Sequence, residues 1–152
     1  MAGPRRENKN GRSQSVGHYG PPITLDQAKK VMVAAEVKAK ENNWNVVISI
    51  VDSGGHLVML QRLDGTQLAS IRIANGKART AVEFRRPTKA LADVIAGGGG
   101  GLRHFTVPGV NLMEGGVPIV IDGKIAGGIG VSGDYSEHDA QIAQAGADVV
   151  IE

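Results

Sequence analysis

The 152-residue chain contains no cysteine, which excludes disulfides, thiolate nucleophiles and dithiol redox chemistry and suits a reducing compartment. Aromatic residues are nearly as scarce, at 3% of the chain, so any core has to be built from Val, Ile, Leu and Ala in close contact rather than around large rings. No run approaches the roughly 18 consecutive apolar residues of a membrane span. The charge balance is weak as well. The formal net charge is +2, and Arg5, Arg6, Lys9 and Arg12 all fall near the N-terminus, which leaves the body close to neutral and without the basic footprint of a nucleic-acid binder. Arg5-Arg6 is not followed by an apolar segment, so an export signal is not indicated and a cytoplasmic location is expected.

What the chain has instead is glycine, 22 in all, and its placement organises the reading. In the stretch from Gly115 to Asp134, two apolar runs, Val117 to Ile121 and Ile125 to Val131, flank Asp122-Gly123, a dipeptide suited to the positive φ angles of a tight hairpin turn. The second run carries Gly127, Gly128 and Gly130. Glycine weakens a strand unless a backbone, a partner chain or a ligand must come close to it.

Residues 1–20 are rich in Arg, Asn, Ser and Gly and have little to bury, so they read as a flexible arm that adds little stability, with a single domain over 21–152. After Pro21-Pro22, Thr24 and Gln27 form a capping-box pair, and Leu25, Ala28, Val31, Met32, Ala35 and Ala39 recur at helical spacing. Val46 to Val51 is almost wholly apolar and reads as a central strand, and His56 to Arg62 returns beside it after the turn Asp52-Ser53-Gly54-Gly55. A second helical pattern runs from Thr66 towards Pro87, and a short helix spans Lys89 to Ala96 with Thr88 as its cap. Gly97 to Gly101 end that helix, Leu102 to Glu114 form a loop, and Ser136 with Asp139 open a last helix. The order predicts an α+β fold, an antiparallel sheet with helices on its faces.

Each chemical constellation has a plain alternative. Gly97 to Gly101 lacks the Lys-Ser/Thr of a phosphate-binding loop and reads better as a flexible loop or lid. No two of His18, His56, His104 and His138 have zinc-site spacing. Lys77, Arg79, Arg85, Arg86 and Lys89 suit a solvated helix face or an intersubunit salt bridge better than an anion site. His104-Phe105 pairs an imidazole with a ring, as a flat ligand or a haem iron needs, although the pair taken alone reads better as an ordinary loop.

Val51-Asp52-Ser53-Gly54-Gly55-His56-Leu57-Val58, Arg62-Leu63-Asp64-Gly65, Lys77-Ala78-Arg79-Thr80-Ala81, Arg86-Pro87-Thr88, Gly115-Gly116-Val117-Pro118-Ile119 and Gly127-Gly128-Ile129-Gly130-Val131-Ser132-Gly133 follow one another in the order of a known set of motifs. From Pro22 to the C-terminus the chain resembles the GlcG/HbpS-like family, which includes the C-terminal domain of PduO-type proteins. The resemblance implies a profilin-like layered fold, here a sheet of about five strands with helices on both faces, and assembly into homo-oligomers, often octamers. It also implies haem as cofactor, since several relatives bind it and one extracellular group is linked to iron sensing and haem degradation. Others belong to glycolate or propanediol operons. One departure is clear: where relatives commonly have Gly-Gly-Pro-Leu, this chain has Gly97 to Gly101 followed by Leu102-Arg103-His104.

The expected cofactor site joins Arg79, Gly99, His104 and Gly128. Gly128 leaves room beside a strand, the loop around Gly99 closes over it, His104 offers an imidazole, and Arg79 offers a charge for a propionate or another carboxylate. Three classes fit these residues: a haem-binding module, an enzyme acting on a small organic acid, or an accessory protein of such a pathway.

Overall fold

The structure, a computed structural model, describes residues 17–151. Helix α1 (Leu25–Glu41) is followed by strands β1 (Val47–Asp52) and β2 (Leu57–Arg62), and helices α2 (Ala69–Phe84) and α3 (Thr88–Ala96) come next. A 3-10 segment (Gly99–Thr106) leads to strands β3 (Gly116–Ile121) and β4 (Lys124–Ser132), and helix α4 (Ser136–Ala147) closes the order. The strands form one antiparallel sheet in the order β2-β1-β4-β3.

Local chemistry explains the start of α1 and both hairpin turns. Thr24 and Gln27 make both hydrogen bonds of the capping box, and α1 buries Ala28, Val31, Met32, Ala35 and Ala39 while Leu25 stays half exposed. The β3–β4 turn places Asp122 at φ 52° and Gly123 at φ 76°, the left-handed pair that a two-residue hairpin demands. At the first hairpin, Asp52 Oδ1 accepts from the backbone N–H groups of Gly54 and His56, so the Asp-Ser-Gly-Gly motif there sets a turn. β1 is central and almost wholly buried, as its apolar run predicts.

Among the described residues the sheet has four strands rather than about five. His18 to Gly20 begins a further pairing with β4, where the Ile125 N–H donates to His18 O at 2.8 Å and the Gly20 N–H to Ile125 O at 2.9 Å. Pro21 and Pro22 have no N–H to donate, and the ladder stops at an isolated bridge. These contacts also correct the arm assigned to residues 1–20, whose last residues are tied to the domain: the Tyr19 hydroxyl donates to Val82 O at 2.7 Å, at the carbonyl end of α2. Residues 1–16 lie outside the described residues.

Helices cover both faces of the sheet. On one face Ile48 and Ile50 of β1 and Ile129 and Val131 of β4 pack with α1 and with Ile142 and Ala143 of α4, forming the main core. On the other, α2 lies directly on the glycine strand. A β-carbon at Gly128 would lie 2.6 Å from Ala78 O and 2.8 Å from Val82 Cγ2, and one at Gly130 would intrude on the backbone of Ala74 and Ala78. The close approach announced by these glycines is therefore made by a helix backbone, with Ala74 and Ala78 as its small contact residues. Gly130→Ala is expected to destabilise the fold by about 3 kcal/mol or more, because neither backbone can give way without moving α2. Urea denaturation checks this, and a loss below about 1 kcal/mol would contradict the tight packing.

Candidate functional site

The segment from Gly99 to Met113 runs back along α2, and three contacts fix its course. The His104 ring lies 6.2 Å from Phe84 at the C-terminal end of the helix. Gly109 O accepts from Arg79 Nη2 at 3.3 Å, and the Asn111 N–H donates to Thr80 Oγ1 at 2.9 Å. The expected residues Arg79 and His104 are thus brought to the same side of the molecule, along one helix and the segment lying on it.

His104 Nδ1 is 2.9 Å from Gly101 O. A carbonyl oxygen can only accept, so Nδ1 carries the proton, and Nε2 holds the lone pair of a metal ligand. Nε2 has no hydrogen-bond partner among the described residues. Beside this imidazole in the chain the segment exposes apolar side chains, with Leu102 47%, Phe105 65% and Val107 40% exposed. Arg79 is half exposed, and among the described residues its guanidinium pairs with Glu83, at 3.6 Å one helical turn away, besides Gly109. Together these groups can offer one nitrogen ligand, exposed apolar side chains and a cation for a carboxylate.

Gly98 and Gly99 take φ values of 67° and 57° and turn the chain out of α3, and a β-carbon at either would meet nothing within 4 Å. Gly128 is a correction. It is buried between β1 and β3 and roofed by α2, so it offers no room to a ligand, and its absent side chain serves helix packing. Thr88 also differs from its expected capping role: its Oγ1 accepts from the Gly116 N–H at 2.8 Å and so ties α3 to β3.

The basic stretch hides what sequence reasoning missed. Lys77, read as part of a solvated face, is 1% exposed, and Asp139, read as a capping-box partner, is 2% exposed. Lys77 Nζ donates to Asp139 Oδ2 at 3.3 Å and to Val131 O at 2.9 Å, while Asp139 Oδ1 accepts from the Asp134 N–H at 3.1 Å. Burial pushes the Lys77 ammonium pKa down and the Asp139 carboxyl pKa up, each against the opposing pull of its partner. The pair is a costly but directional clamp joining α2, β4 and the start of α4. Its partners are 62 residues apart, and no local pattern connects them. Arg86 is buried too, its Nε donating to Phe84 O at 2.7 Å.

A family model described as "Haem degrading protein HbpS-like" matches residues 23–148. The chain is 39% identical over 110 residues to Protein GlcG of Escherichia coli (strain K12), an alignment covering 72% of this chain and 81% of that protein. The crystal structure of a double mutant of Streptomyces reticuli HbpS superposes with a TM-score of 0.79 at 32% identity, covering 90% of this chain and 92% of that one. A PduOC:haem complex superposes with a TM-score of 0.75, also at 32% identity, covering 83% of this chain and 93% of that one.

Asp139→Asn leaves the Lys77 charge buried without its counter-charge, and a loss of about 3 kcal/mol is expected by urea denaturation, with much of it recovered when Lys77→Met is added to Asp139→Leu. A single variant as stable as the parent would show that the clamp carries no weight.

Proposed function

This chain belongs to the HbpS-like family, and from that premise we propose that it binds haem on the surface formed by α2 and the segment Gly99 to Met113. His104 would hold the iron through Nε2, Leu102 and Phe105 would lie against the macrocycle, and Arg79 would receive a propionate by exchanging its contact with Glu83. The observation that carries this reading is the fixed tautomer of His104: a ring nitrogen ready to ligate, set among exposed apolar side chains. The PduOC:haem complex, a relative of similar fold, supports it from outside. Haem, when bound, supplies a redox-active iron that no side chain provides. The residues of this chain orient it, shield one face from water and neutralise a propionate.

The same reading includes a profilin-like fold, a cytoplasmic location and a symmetric homo-oligomer, an octamer in keeping with the family resemblance. Leu57 of the edge strand β2 is 56% exposed and Leu68 is 73% exposed, apolar surface that a second copy would cover. A role in small organic acid catabolism is the second reading. It is favoured by Arg79, a half-exposed guanidinium engaged, among the described residues, by a carbonyl and an exposed carboxylate.

Haem added to the purified protein should give a saturable Soret band, and His104→Ala should remove or shift it while the circular dichroism spectrum is unchanged. No band with the parent protein would give precedence to the organic-acid reading. A band unaltered in position and affinity by His104→Ala would move the iron ligand away from His104.

A further inference from the structure

The sheet face opposite α2 carries a second feature. A cleft of about 610 Å³ opens between the C-terminal end of α1 and the end of β2, of a size that small-molecule sites commonly have. None of Arg79, Gly99, His104 or Gly128 lines it. Gln61 does, pairing in register with Ile48 on the α1 side of the sheet, and its Oε1 is buried with no hydrogen-bond partner. Folded chains rarely leave a buried acceptor without a donor, and here the missing donor has a cleft to come from.

The remaining lining narrows the class of ligand. Its charges balance, Glu36 and Asp64 against Lys40 and Arg62, and Glu36 and Lys40 already neutralise one another at 3.0 Å. A ligand of strong net charge gains nothing from such a wall. Carboxamides recur instead, from Asn43 and Asn45 beside Gln61. Each carboxamide both donates and accepts, as an alcohol hydroxyl does, so amide and hydroxyl arrays are matched in a way that carboxylate or ammonium ligands are not. The cleft also has an apolar surface in the indole of Trp44, which is held in place by stacking on His138 at a centroid distance of 4.0 Å and an interplanar angle of 13°. The His138 ring is in turn hydrogen-bonded to Asp134. A fixed aromatic ring beside amides suits a molecule that carries C–H surface and hydroxyls together.

We propose that this cleft binds a neutral polyhydroxylated molecule of about monosaccharide size, with Gln61 Oε1 accepting from one hydroxyl and Trp44 lying against its C–H surface. The site is separate from the haem reading and stands whether or not haem binds.

Trp44 is the chain's one tryptophan, so its emission reports on the cleft directly. The full chain without haem is titrated with D-glucose, D-galactose and myo-inositol, and with glycine as a zwitterionic control. A saturable emission change is expected for at least one of the polyols and not for glycine. Gln61→Leu removes the proposed acceptor, and Asp64→Ala removes a carboxylate of the lining that would accept from a second hydroxyl, so each should separately weaken it by about tenfold, the effect of losing one good hydrogen bond. Asp64 is exposed in a turn, so its variant keeps the test decisive if Gln61→Leu fails to fold. No saturable change with any polyol up to about 100 mM, a response indifferent to both substitutions, or a response to glycine alone would each overturn the proposal.

Discussion

The structure depends on one close approach, the backbone of α2 resting on the backbone of β4 at Gly128 and Gly130. A helix normally keeps its distance from a sheet through the side chains between them, and here glycine on the strand and alanine on the helix remove that spacer. The low aromatic content is consistent with this face of the sheet, where layers this close have little room for rings. Once α2 is seated, Lys77 is carried inward past Gly115 and Gly116 to meet Asp139, which fixes α4 as well. The segment after α3 then has one surface to run along, the outer side of α2.

This geometry separates two chemistries. Outside α2 lie a ligating nitrogen, exposed apolar side chains and a cation, which suit a flat, partly anionic macrocycle. On the α1 side, the charges cancel and amides dominate. Between them lies the four-stranded sheet. Tyr19 adds a tie at the C-terminal end of α2, near the site: burial pushes its phenol pKa up, with Arg85 opposing, while its hydroxyl satisfies a helix-end carbonyl.

Features encoded locally were legible in the sequence. The Thr24–Gln27 box, the Asp122-Gly123 turn and the central position of β1 depend on neighbours a few residues away or on simple periodicity, and the structure has them where the pattern places them. The glycines of β4 were legible only in part. They announce that something comes close but not what, and the helix backbone occupies the place assigned to a ligand at Gly128. The Lys77–Asp139 pair was illegible because a lysine in a basic run looks solvated until a distant acid is folded against it. His104 was legible as a candidate by residue type. Its tautomer needed the Gly101 carbonyl, which only the 3-10 turn brings into range.

The central claim is that His104 Nε2, on the surface outside α2, is the iron ligand. Crystals grown with haem and measured at the iron absorption edge locate the metal without reference to any spectral assignment. The account predicts an anomalous peak in direct coordination contact with Nε2 of His104, with a propionate approaching Arg79. Iron bound instead at His18, at His56 or inside the cleft beside Gln61 would contradict it.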